Sequence, residues 1–234
     1  MKKKIIQRDN IKALHKYFLS IASHDLKSPL TSIIGFTRII RSKPQMDNMM
    51  KQKCLSAIIQ ESERMVRIIN NMLTWEQIKK KELLLSCTMV NFSLILKESS
   101  KNCLERIDEH NFHVDIEDNL TFPGDSDMLK DIMENIMGDL LTFTEEGGKV
   151  ELRAWKKDEN HINLVVSNTI FLLPPSLVKA IFKRKKPSLT DIDIDKGRAL
   201  NFIVTRTLIE LQGGTVTLEA IAPRGYKFTI EFTI

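Results

Sequence analysis

Two long stretches of this chain place their apolar residues at helical spacing, with one break between them. Residues 9–43 carry Ile11, Leu14, Phe18, Ile21, Ala22, Ile33, Ile34, Phe36, Ile39 and Ile40, interrupted only by Pro29 and Gly35. Ser42-Lys43-Pro44 stops the run. Asp47 is then placed to cap a second helix bearing Leu55, Ile58, Ile59, Met65, Ile68, Ile69, Met72, Leu73 and Trp75. Two helices with one apolar stripe each and a short connection fold into an antiparallel hairpin. A lone hairpin buries only part of each stripe. Pairing two hairpins in a four-helix bundle buries the rest, so the pattern predicts a homodimer held by residues 9–80.

After Lys79-Lys80-Lys81 the texture changes. Leu83–Val90 reads as a short strand, Phe92–Asp108 as a helix, Phe112–Ile116 as a strand and Asp125–Phe143 as a helix. Strands are expected at Val150–Trp155 and Ile162–Val166, after a Gly147-Gly148 turn. A helix over Leu200–Leu211 ends at Gly213-Gly214, and Thr215–Ala220 and Tyr226–Ile234 form a hairpin around Pro223-Arg224-Gly225. The fold class is α+β: a helical hairpin over residues 1–84, then an α/β sandwich over 85–234 with helices on one face of a mixed sheet.

Composition excludes several function classes. A hydrophobic fraction of 42% supports a real core, and the net charge of +5 is spread among acids, which argues against nucleic-acid binding. Cys54, Cys87 and Cys103 are odd in number and lack CxxC spacing, so they read as core or half-buried thiols in a reducing compartment. His15, His110, His113 and His161 have no Cys or carboxylate partner at metal spacing, with His161 expected in a turn. Met49, Met50, Met65 and Met72 read as bundle core. No run approaches the roughly 18 apolar residues of a membrane span. The expectation is a cytoplasmic protein without a direct membrane span, its input supplied by another chain.

Chemistry concentrates at residues 20–34, Ser-Ile-Ala-Ser-His-Asp-Leu-Lys-Ser-Pro-Leu-Thr-Ser-Ile-Ile. A helical imidazole is a competent nucleophile, and an adjacent carboxylate can orient it and take its proton. Pro29 removes a backbone donor and bends the helix just past His24. Ser23 to Thr31 resembles the phosphoacceptor box of two-component histidine kinases, Ser-His-Glu/Asp-x-(Lys/Arg)-(Ser/Thr)-Pro-Leu-Thr. The resemblance implies that His24 accepts a phosphoryl group, that Asp25 orients it, and that Ser28 stands where the family positions a water for phosphatase chemistry.

Residues 88–234 are similar in element order to the ATP-binding (GHKL) domain of the same kinases. Gly124 to Leu129 resembles the lead-in to the family's N box, with Asn135 at its first asparagine. Phe143-Thr144-Glu145-Glu146-Gly147-Gly148 is close to Phe-Thr-Pro-Glu-Gly-Gly, and Ile209 to Gly214 is close to Val-Glu-Leu-His-Gly-Gly. Leu173-Pro174-Pro175 and Ile181-Phe182 match the segment after the first glycine box. The nucleotide positions depart from the pattern. Asp139 replaces the magnesium-ligating Asn, and Leu141 or Thr142 the usual Lys. Asn168-Thr169-Ile170-Phe171-Leu172 stands for Asp-x-Gly-x-Gly, with Asn168 at the adenine-reading position. Gly197-Arg198-Ala199-Leu200-Asn201-Phe202 stands for Gly-x-Gly-Leu-Gly-Leu and keeps only the first glycine, Gly197.

The departures differ in weight. Asn168 still accepts one hydrogen bond, and Asp139 still offers Mg²⁺ a hard oxygen. Lost glycines are worse, because they let backbone N–H groups approach phosphates at a helix N-terminus. Three readings follow. In the first, His24 carries phosphoryl groups to or from a response-regulator aspartate, own ATP binding is lost, and no cofactor is expected. In the second the chain is an ATP-dependent kinase with a divergent site, taking ATP and Mg. The third is a non-catalytic scaffold or inhibitor of a separate sensor kinase or a response regulator.

Overall fold

The computed structural model describes residues 26–104, 111–144, 147–169, 196–221 and 225–234. These divide into two compact units between Leu83 and Leu84, with the start of the last helix grouped with the first.

The first unit is a helical hairpin: α1 over residues 26–42 and α2 over Asn48–Lys80. Asp47 caps α2 as expected, its Oδ2 accepting from the backbone N–H of Met49 at 3.1 Å and Met50 at 3.3 Å. At the other end Lys81 adopts a left-handed conformation, φ 58°, and the N–H groups of Lys81 and Glu82 bond back to Ile78 and Gln77. Lys79 and Lys80 in the last turn complement the helix dipole. Met49 and Met50 do not fill a core in the single chain: they sit in the first turn of α2, 69% and 53% exposed. No described helix is long and apolar enough to cross a membrane.

Beyond Leu84 the chain runs β1 (Thr88–Asn91), α3 (Phe92–Leu104), β2 (Phe112–Ile116), β3 (Thr121–Gly124), α4 (Ser126–Phe143), β4 (Val150–Asp158), β5 (His161–Asn168), α5 (Lys196–Leu211), β6 (Gly214–Ile221) and β7 (Gly225–Thr233). β1 and β3 form a small antiparallel pair, and the main sheet has the order β2-β4-β5-β7-β6. Only the β2–β4 pair is parallel, which the crossover through β3 and α4 permits. Along β5 and β7 every second side chain is buried: Ile162, Leu164, Val166 and Asn168, then Tyr226, Phe228, Ile230 and Phe232. Phe92, Phe122 and Phe232 pack ring against ring with centroids 5.1–5.5 Å apart, tying α3 and β3 to the main sheet. Phe202 of α5 stacks on Phe228 of β7 at 5.6 Å.

Several boundaries differ from the sequence reading, each for a local reason. The strand read at Leu83–Val90 starts at Thr88, because the Ser86 N–H bonds to Asp125 Oδ2 at 2.8 Å rather than to a neighbouring strand. β3 was not foreseen. Pro123 reads as a breaker, yet β3 pairs only with β1, so its missing donor interrupts no central ladder. β4 and β5 extend beyond the expected ends, and α5 begins at Lys196 rather than Leu200. His161 opens β5 instead of sitting in a turn, its Nδ1 2.8 Å from Asp158 Oδ1. Cys54 and Cys103 are buried, whereas Cys87, in the irregular segment before β1, is exposed, and none of the three is in a disulfide. α5 stops where Gly213 takes φ +74°, as its Gly-Gly end predicts.

Candidate functional site

His24 and Asp25, the core of the phosphoacceptor box, lie outside the described residues, as do Ile170, Phe171, Leu172, the 173–175 segment and residues 181–182. Ser28 is on α1 and exposed, one residue before the buried Pro29.

The nucleotide-equivalent positions of the second unit are better defined. Asn135 and Asp139 stand one turn apart on α4, so they share a face. Asn135 is buried and Asp139 half-buried. α4 presents them because Asp125 fixes its start: Oδ1 accepts from Asp127 N at 3.1 Å and Met128 N at 3.0 Å. Asp125 is itself held by Gln212, whose Oε1 accepts from Asp125 N and whose Nε2 donates to Asp125 O, both at 3.0 Å. That reciprocal pair couples the N-terminus of α4 to the end of α5. The cavity bordered by Asp139, Thr205 and Arg206, with Ile136, Phe202 and Phe228 as apolar wall, measures about 10 Å³. It has room for about one water. Gly197 lies in the first turn of α5.

Asn168 ends β5, paired with Val150 on one side and Tyr226 on the other. It is 2% exposed, and its side chain is bonded at both ends within the protein. Nδ2 donates to Thr144 Oγ1 at 3.1 Å, and Oδ1 accepts from Tyr226 N at 3.3 Å. Thr144 is the C-cap of α4, its N–H bonded to Leu140 O at 2.9 Å. The next residue pins the adjoining turn: Thr169 N donates to Lys149 O at 3.0 Å, and Thr169 Oγ1 accepts from Lys149 N at 2.9 Å. Burial pushes the Tyr226 phenol above its usual range. The sequence reading missed Thr144 and Tyr226 as partners of Asn168. The Thr144 link joins residues 24 apart and the Tyr226 link residues 58 apart, and only strand register brings the latter together. Among the described residues no group of three or more His, Cys, Asp or Glu side chains is placed to hold a metal ion.

The family model of the His Kinase A (phospho-acceptor) domain matches residues 14–81. The model of the histidine kinase-, DNA gyrase B-, and HSP90-like ATPase matches residues 124–234. The chain is 28% identical over 243 residues to the Sensor histidine kinase YclK of Bacillus subtilis, covering 100% of this chain and 50% of that protein. It is 27% identical over 220 residues to the Circadian input-output histidine kinase CikA of Synechococcus elongatus, covering 91% of this chain and 29% of that protein. The Acinetobacter baumannii histidine kinase AdeS shares the fold, with a TM-score of 0.60 at 14% identity over 90% of this chain and 97% of that one. This chain spans half or less of the length of these two curated relatives. It belongs to the two-component sensor histidine kinase family.

Proposed function

We propose that this chain carries phosphoryl groups on His24 to or from the aspartate of a response-regulator receiver domain, as a homodimer, without binding ATP itself. The observation that carries the transfer half is the unbroken box Ser23 to Thr31 inside the phospho-acceptor match at 14–81. In the receiver-to-histidine direction a neutral His24 ring nitrogen attacks the aspartyl phosphate. The N–P bond forms, the P–O bond to the receiver carboxylate breaks, and Asp25 stabilises the proton on the other ring nitrogen. General-base assistance of this kind contributes about 10²–10⁴-fold in rate. Ser28, exposed on α1, stands four residues on, where a water could be positioned for hydrolysis of the phosphohistidine.

The absence of nucleotide binding is supported by two geometric facts beside the missing glycines. Asn168 already gives its amide to Thr144 and its carbonyl to Tyr226, and the cavity beside Asp139 is water-sized. The dimer is supported by apolar side chains left exposed on the hairpin, among them Ile34, Ile59, Val66, Ile69 and Leu73.

A second reading, an ATP-dependent kinase with Asp139 offering Mg²⁺ an oxygen, is favoured by the ATPase match across residues 124–234. Phosphorylated receivers and, in parallel, Mg·ATP labelled at the γ-phosphate, each mixed with purified protein, separate the cases. The phosphotransfer reading expects acid-labile label on the wild type and none on His24→Ala. Stoichiometric receiver binding without transfer would identify a scaffold instead.

A further inference from the structure

We infer that Tyr226, with Thr144, fills the space at the end of the sheet that a purine base would have to occupy to reach Asn168, so the chain closes its own nucleotide pocket at the base end. This rests on the reading that Asn168 stands at the adenine-reading position, and it names what displaces the ligand.

Strand geometry places the group. Tyr226 has the same parity along β7 as Phe228, Ile230 and Phe232, all buried, so its ring lies on the helix-covered side of the sheet. Asn168 has the same parity as Ile162, Leu164 and Val166 on β5 and lies on that side too. The two residues are direct partners in the antiparallel register, which sets their Cβ atoms about 4.5–5.5 Å apart. Tyr226 is 6% exposed. A buried phenol beside an amide that already bonds Thr144 and Tyr226 crowds the side of Asn168 that an incoming base would approach.

Gly225 makes the approach possible. A Cβ there would collide with the Asn168 carbonyl oxygen and stand 3.1 Å from Thr169 Cα, both backbone atoms that cannot swing aside. The small residue lets β7 run close against the end of β5 and delivers the following side chain onto Asn168.

Adenosine is the test ligand, because it carries no phosphate and so ignores the lost glycines. Amide chemical shifts of the full chain are followed during titration for wild type, Tyr226→Phe, Tyr226→Ala and Tyr226→Thr, the last keeping a β-branched residue in the strand should Tyr226→Ala unfold. The inference expects no saturable shifts in wild type or Tyr226→Phe. It expects saturable shifts at Thr144, Asn168 and Thr169 in the small-residue variants, with a dissociation constant at least about tenfold lower than any wild-type value. Folded small-residue variants that bind no better than wild type would overturn the inference while leaving the phosphotransfer reading intact. Saturable wild-type binding at Asn168 would overturn the inference and, with Mg·ATP as ligand, the ATP-free reading as well.

Discussion

Asn168 and Tyr226 face each other in register across β5 and β7, and the side chain of the first accepts the backbone N–H of the second at 3.3 Å. With Thr144 on the opposite end of the same amide, Asn168 ties the C-terminus of α4 to β5 and β7. A residue that the family resemblance sets at an adenine-reading position thus has a structural task of its own.

Replacing it with an apolar residue of similar size exposes that task. Asn168→Leu leaves the buried Tyr226 N–H and the Thr144 hydroxyl without this partner, a loss of about 1–3 kcal/mol. Urea unfolding should show the midpoint falling with the slope unchanged.

Gln212 is the second tie. Gln212→Ala strips both side-chain bonds from the Asp125 backbone and should destabilise the chain by about 2 kcal/mol. Asp125→Ala keeps those backbone bonds but removes the α4 cap and the Ser86 contact, so it should cost a comparable amount. Thermal unfolding of the two variants and the double variant reads their coupling, and the double should cost less than the sum.

Asp131 on α4 gives a pH dependence of definite sign. Partial burial, followed by the neighbouring Glu134, Asp127 and Asp125 carboxylates, holds its pKa above the usual value of 3.8. A raised carboxyl pKa means the folded state binds the proton more tightly, so this contribution is present below the unfolded pKa and lost as pH rises through the folded one. Asp131→Asn should therefore stabilise the protein at pH 7 by up to about 0.5 kcal/mol, given solvent screening. The gain should shrink as the pH is lowered toward 3.8, which melting curves across that range would follow.

The hairpin predicts association. Ile59 and Leu73 are 56% and 60% exposed on α2 in the single chain, and each large aliphatic side chain covered by a partner stabilises by about 1.5–3 kcal/mol. Light scattering at micromolar concentration should give about twice the 27.0 kDa chain mass, and Ile59→Asp with Leu73→Asp should return monomers. A monomeric wild type would contradict the four-helix arrangement.

What the sequence disclosed follows the range of the interactions involved. The cap at Asp47 and the Gly213 stop depend on neighbours within a few residues, and each is found where expected. The β6–β7 hairpin was legible for the same reason. β3 was hidden because Pro123 signals a break unless its single pairing partner is known. The start of β1 depends on Asp125, a residue 39 positions from Ser86, and the partners of Asn168 on the register of the central strands. The match to the phospho-acceptor domain at 14–81 was legible in contiguous residues, whereas the partners of Asn168 depend on contacts distant in the chain.

One labelling experiment decides whether His24 is phosphorylated by a receiver or by ATP. The purified chain is incubated with Mg·ATP labelled at the γ-phosphate and, in parallel, with receivers labelled at their aspartate, and phosphohistidine is read in wild type and His24→Ala. The account predicts label on wild type from a receiver, none from ATP, and none on His24→Ala from either source. Label passing from ATP to His24 would contradict it and establish a working kinase.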